Sequence, residues 1–184
     1  MKNLLIIGGA ARNVGKTTFI ENIIRKFSTS HKIVSIKIKT IYPNDYFFHG
    51  KDVNPLSKSE PYRITEIKKE DFKSDSGRML NAGAYKVYKI KTKAEQLLNA
   101  FNNCLSDIGE NVVIICETNS LRGFVRPALY LFIKMNDIDE MKQSAKKLCK
   151  FADKIILSNG EKHDFDFNNL NIQNNSWQIK KNRI

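Results

Sequence analysis

Gly8-Gly9-Ala10-Ala11-Arg12-Asn13-Val14-Gly15-Lys16-Thr17-Thr18 joins two segments of different periodicity. Before it, 3–7 is a short apolar run rich in branched residues. After it, Phe19, Ile20, Ile23, Ile24 and Phe27 recur at helical spacing along the stretch from Lys16 to Phe27. The reading is strand, loop, helix. A glycine-containing loop at a helix N-terminus turns backbone N–H groups toward an anion, and here Ala11, Arg12, Asn13, Val14, Gly15, Lys16, Thr17 and Thr18 are the candidates to surround phosphates. Lys16 would neutralise β- and γ-phosphate oxygens and the Thr17 hydroxyl would coordinate Mg²⁺, while Gly15 allows a backbone approach that a Cβ would obstruct. On average residue usage a Gly-Lys-Ser/Thr triplet arises by chance about once in two thousand positions, and the strand before and helix after reduce that further. One departure stands out: the usual spacing asks for glycine where this chain has Ala10.

Outward from the loop, 32–40 alternates, with Val34, Ile36 and Ile38 on one side and Lys37 and Lys39 on the other, predicting a strand buried mainly on one face. From Ile41 to Ser74 the periodicity disappears among Pro43, Pro55, Pro61 and Gly50, so an irregular insertion is expected there. Regularity returns with a short helix at 78–82, a strand at 85–90 and a helix at 93–105 with Ala94, Leu97, Leu98 and Phe101 on its apolar face. Apolar runs at 112–116, 129–133 and 154–157 follow, with a helix at 140–151. Continuous apolar strands separated by helices predict an α/β fold, a mostly parallel sheet covered by helices on both faces, in one domain over 1–184. From Glu161 the tail is polar, with Phe165, Phe167 and Trp177 placed to tether it.

Glu117 closes the 112–116 run. An acid at the end of an apolar strand beside a phosphate loop is positioned to hold a Mg²⁺-bound or attacking water, although a solvated acid at a strand end explains it too. Asn159 is the candidate to contact a base edge, with an Asn-Gly turn as an equal alternative. His163, Asp164 and Asp166 are of metal-ligand type, but a solvated turn accounts for them better.

The chain has 184 residues, 41% hydrophobic and 27% charged, an ordinary composition for one core. No apolar run approaches the about 20 residues of a membrane helix, and cytoplasmic placement without a membrane partner is expected. Cys104, Cys116 and Cys149 lack the paired spacing of a zinc site and read as reduced packing residues. The net charge of +12 is spread in short groups such as Lys68-Lys69 and Lys146-Lys147, interleaved with acids and without an aromatic-basic motif. Attraction for anionic nucleotides or metabolites explains it better than nucleic acid.

Taken together, the glycine loop, Asp75-Ser76-Gly77-Arg78 followed by Ala82-Gly83-Ala84, and Glu117-Thr118-Asn119-Ser120-Leu121 followed by Arg126-Pro127-Ala128-Leu129 resemble the P-loop protein B of molybdopterin-guanine dinucleotide biosynthesis (MobB), as a divergent branch. The resemblance spans about three quarters of the chain. It implies a P-loop NTPase fold, a site for GTP or ATP with Mg²⁺, slow hydrolysis, a homodimer, and an accessory role beside a partner enzyme of molybdenum cofactor assembly. It also brings Asp75 and Arg78 near the nucleotide, Arg78 as a catalytic residue with Lys16 and Glu117, and Asp75 near the metal with Thr17 and Glu117. The chain departs from the family in its longer stretch around His49-Gly50-Lys51-Asp52 and in Thr-Asn-Ser after Glu117. Two other readings remain open at this level: a small-molecule kinase passing the γ-phosphoryl group to a metabolite under the 41–74 segment, and a nucleic-acid-binding module.

Overall fold

The computed structural model describes residues 1–42, 54–68, 74–136, 141 and 143–180. Its centre is strand β1, Leu4–Gly9, in which all six residues are buried. Such a strand has no solvent face, so it needs apolar cover above and below. Leu5 and Ile7 enter one core with helix α1, Lys16–Phe27, and Leu4 and Ile6 enter the other. Strand β2, Ile33–Ile41, follows. Its first four residues are all buried, Ser35 included, because Ser35 Oγ donates to Met79 Sδ at 3.1 Å under helix α2, Asp75–Asn81. The expectation of a strand buried mainly on one face therefore holds only for its second half, where Lys37 and Lys39 are partly exposed.

The 41–74 segment contains a strand that proline density conceals. Strand β3, Tyr62–Glu66, begins directly after Pro61 and pairs antiparallel with strand β4, Lys86–Lys93. The prolines precede this strand rather than interrupt it, and an edge strand tolerates such a neighbour. Helix α2 starts earlier than the apolar pattern indicates because Ser74 caps it, its Oγ accepting from Gly77 N at 3.0 Å. A 3₁₀ turn at Ala94–Gln96 then leads into helix α3, Leu97–Ser106, where Leu97, Ala100, Phe101 and Cys104 are buried and Leu98 is exposed. Leu98 is thus off the core face to which its spacing assigned it.

Strand β5, Val113–Glu117, strand β6, Leu129–Met135, helix α4, Gln143–Cys149, and strand β7, Lys154–Ser158, complete the main sheet. Its order is β3-β4-β2-β5-β1-β6-β7, parallel everywhere except at β3. One face carries α1, α2 and the C-terminal segment; the other carries α3 and α4. Parallel pairing brings the C-terminal ends of β1, β5 and β2 side by side. Glu117 is in register with Ile7 on one neighbour and with Lys37 on the other.

The polar tail folds into a hairpin, β8, Leu170–Gln173, and β9, Ser176–Ile179. Asn174 and Asn175 make its two-residue turn with φ of 50° and 55°, the left-handed pair that matches strand twist. Leu170, Ile172 and Trp177 then enter the α1 core, and Trp177 Nε1 donates to the Ile114 carbonyl at 3.1 Å. The aromatic residues do more than tether the tail: Trp177 is among the largest fully buried side chains. Trp177→Ala should lower unfolding free energy by about 3–5 kcal/mol, the usual cost of deleting a buried large aromatic. Urea unfolding measures it, and a loss below about 1 kcal/mol would mean the hairpin is not part of the cooperative core.

Candidate functional site

Between β1 and α1 the backbone turns through two left-handed residues, Asn13 at φ 59° and Gly15 at φ 82°. Asparagine tolerates that conformation. Gly15 is required for a second reason, since a Cβ there would lie 2.7 Å from the Gly160 carbonyl oxygen and 2.8 Å from His163 Nε2. Ala10, the departure from the usual spacing, needs no glycine: its φ is not positive, its side chain is buried in the α3 core, and its N–H extends the β1–β6 ladder to Ile133 O at 2.9 Å. Lys16 folds back over the turn, its Nζ donating to the Ala11 carbonyl at 2.8 Å.

The floor of the loop is held by a side chain that imitates a strand. Asn119 Oδ1 accepts from Gly9 N at 2.8 Å and its Nδ2 donates to Gly9 O at 2.9 Å. A Cβ on Gly8 would approach Asn119 Oδ1 to 2.7 Å and the Tyr130 hydroxyl to 2.5 Å. That hydroxyl is buried without a hydrogen-bond partner among the described residues, and burial pushes its acidity well below that of an ordinary tyrosine.

Opposite the loop stands a cation between two acids. Lys37 Nζ lies 2.5 Å from Asp75 Oδ2 and 3.2 Å from Glu117 Oε2, the latter close enough for an ion pair but off the geometry of a hydrogen bond. Burial alone would lower the Lys37 pKa, but Glu117 and Asp75 outweigh it and the ammonium is held above its usual value. Asp75 moves the other way: burial works against its charged form, Lys37 more than offsets this, and the carboxyl is held below its usual range. Arg78, three residues along α2, grips a different acid. Its Nε and Nη2 fork onto Glu21 of α1 at 2.8 and 2.9 Å, with Nη2 3.4 Å from the Thr18 hydroxyl. Glu21 is 8% exposed, so this fork ties α2 to α1 beside the loop.

Gly9, Ala11, Arg12, Lys16, Lys37 and Glu117 thus share a cleft of about 180 Å³ with Ile38 and Asn119 on its walls. Val14 does not face it, since its side chain is buried in the α1 core. Thr17 is the second residue of α1 and is half-buried. Asn159 sits at the end of β7, where its Oδ1 accepts from Glu161 N at 3.1 Å and Lys162 N at 2.8 Å. Its oxygen is spent on its own turn, which rests against Gly15 through Gly160. The stretch His49 to Asp52 lies outside the described residues. Among the described residues no group of three or more His, Cys, Asp or Glu side chains forms a metal cage, and no helix is long and apolar enough to cross a membrane.

Three residues of the site were not singled out from sequence: Lys37, Asn119 and, as a contact of the loop, His163. Nothing in the sequence pairs Lys37 with Glu117; the register of β2 on β5 does. Asn119 stood only inside the motif that carries the resemblance, without a role of its own, and His163 only as a residue of metal-ligand type. His163 Nε2 donates to the Gly15 carbonyl at 3.1 Å, and its ring packs on Phe19 at 5.0 Å. No family model, curated protein or solved structure matches the chain.

Burial lowers the His163 pKa below 6.5, with the Gly15 carbonyl and Asp164 opposing. The fold therefore favours the neutral ring. Below the unfolded value the unfolded chain binds more protons than the native one, so stability falls as pH drops through 6.5 and levels off below the folded pKa. Melting temperatures at pH 7.5 and 5.5 should differ more for the parent than for His163→Asn, whose amide can still donate to Gly15. Equal differences would remove His163 from the acid sensitivity.

Proposed function

We propose that this protein binds a nucleoside triphosphate, GTP or ATP, with Mg²⁺ in the cleft at the C-terminal edge of the sheet, and hydrolyses it slowly. The observation that carries this reading is the N-terminus of α1, which has no side-chain cap. That 12-residue helix begins after Gly15 with no side-chain cap and no acid in its first turn. The first N–H groups of a helix have no partners within it, and here neither the cap position nor the first turn supplies one. A phosphate in the cleft would accept them, aided by the positive end of the helix dipole.

The donor set suits a hard divalent cation. Glu117 brings a buried carboxylate oxygen that, among the described residues, receives no hydrogen bond beside its ion pair with Lys37, and Thr17 brings a hydroxyl at the helix start. These two residues would hold Mg²⁺, with Asp75 behind them through Lys37. Bound there, Mg²⁺ would neutralise charge on the β- and γ-phosphates. The protein's own groups do the rest. Lys16 exchanges the Ala11 carbonyl for phosphate oxygens, the amides of 11–18 surround the β-phosphate, and Glu117 orients the attacking water. Arg78 acts on turnover by keeping α2, and with it Asp75, against α1 through Glu21. A place in molybdenum cofactor maturation, as a homodimer beside a partner enzyme, is proposed on the motif resemblance.

Mg²⁺ with GTP or ATP at a hundredfold excess over its dissociation constant should stabilise the fold by about 2.7 kcal/mol, a melting shift of roughly 5 to 11 °C for this length. Lys16→Ala should remove most of the shift. Glu117→Gln should keep nucleotide binding while losing most phosphate release. A full shift in Lys16→Ala, or parental phosphate release in Glu117→Gln, would rule the reading out.

A further inference from the structure

Among the described residues Lys37 is the cation whose side chain ion-pairs with both carboxylates at the mouth of the cleft, at 2.5 Å from Asp75 and 3.2 Å from Glu117, and the phosphate reading above gives it no contact with the ligand. Its setting is unusual for a strand lysine. It leaves β2 on the α1 side, its backbone in register with Glu117 on β5 and with Lys89 on β4. Lysines directly opposed across strands repel, so the position is unfavourable unless an acid compensates. Asp75 compensates from α2, with a side chain about half exposed, and Glu117 from β5, with a side chain 9% exposed. The ammonium is therefore the charge balance of a carboxylate that is almost wholly buried. Removing such a balance leaves an uncompensated buried charge, which another cation would be drawn to satisfy.

We propose that Lys37 is a built-in competitor of the divalent cation: its ammonium holds Glu117 and Asp75 in the nucleotide-free protein and cedes them only when metal arrives together with nucleotide phosphates. The inference rests on reading the cleft as a Mg²⁺–nucleotide site. Its consequence is a protein that binds metal poorly alone and well with nucleotide. An ammonium and a divalent cation on one pair of carboxylates at contact distance repel each other, which weakens metal binding while Lys37 stays in place. Once displaced, the lysine needs an anion, and the terminal phosphate is the anion that arrives with the metal. Lys37 then counts as a positioning residue, coupling metal occupancy to the presence of a phosphate chain. No covalent bond of the protein changes: the Lys37–Asp75 hydrogen bond and the contact with Glu117 give way to carboxylate–metal coordination, and the ammonium keeps its proton throughout.

The test needs the metal alone, so its outcome separates from that of the nucleotide reading. Mn²⁺ binding to the full chain is followed by electron paramagnetic resonance without nucleotide, for the parent, Lys37→Met and Lys37→Arg. Lys37→Met, which keeps the length and loses the charge, should bind Mn²⁺ about tenfold more tightly than the parent or beyond. Its melting temperature should rise on adding millimolar Mg²⁺, whereas the parent's should not. Lys37→Arg should stay as weak as the parent, which separates charge from shape. Glu117→Gln combined with Lys37→Met should return Mn²⁺ affinity to the parental level. Should Lys37→Met be too unstable to measure, Lys37→Gln, a neutral amide that can still donate to Asp75, carries the same comparison. Parental Mn²⁺ affinity in the neutral variant, or equal tightening in Lys37→Arg, would overturn the proposal. Failure of Lys16→Ala to alter nucleotide binding would instead strike the nucleotide reading and leave the metal result standing on its own.

Discussion

A strand buried on both faces can meet water only at its ends. β1 is such a strand, paired in parallel with β5 on one side and β6 on the other and covered by α1 on one face and α3 and α4 on the other. Every residue along its length is committed to packing. Polar groups are thereby forced to the rim, and parallel pairing determines which rim residues meet. Ile7, Glu117 and Lys37 lie on one line across three strands, so the loop that leaves β1, the acid that ends β5 and the lysine late in β2 are neighbours by register. A one-residue slip of β5 would turn Glu117 to the other face of the sheet and dissolve the arrangement.

Around that line the structure spends its tolerance for strain on the loop. The glycines sit where side chains would strike Asn119, Tyr130, Gly160 or His163, and the left-handed turn of Gly15 is wedged against the end of β7. The C-terminal segment, far away in sequence, supports this wedge from behind: Phe165 and Phe167 pack on Phe19, and Trp177 of the hairpin packs edge-on against Phe27 at 5.6 Å. The first and last residues of α1's buried face are thus both set by the tail. Loop geometry and tail packing are one problem in this fold.

Particular elements show what could be read in advance. The strand, loop and helix around Gly15 were legible because their periodicities differ sharply, and Glu117 was legible as the first charge after an apolar run. β3 was concealed because five residues directly after Pro61 carry too little pattern, and its place comes from the ladder to β4. The hairpin was concealed because its apolar residues are few and large; the signal was Asn174-Asn175, a pair suited to a left-handed turn. Asn119 and His163 act on Gly9 and Gly15 from 110 and 148 residues away, contacts that no local window contains. The resemblance placed Arg78 near the nucleotide as a catalytic residue, but its fork to Glu21 depends on how α2 lies across α1, a matter of tertiary packing.

The central claim is that the loop from Gly8 to Thr18 recognises phosphate, whichever base is attached. The most direct measurement is calorimetric affinity, with Mg²⁺, for the nucleoside, monophosphate, diphosphate and triphosphate of guanine and of adenine. Loop amides that surround a β-phosphate predict weak binding up to the monophosphate and a steep gain, about a hundredfold, on adding the second phosphate, from several charge-assisted hydrogen bonds. Equal affinity across the series, or no triphosphate binding at millimolar concentration, would contradict the account.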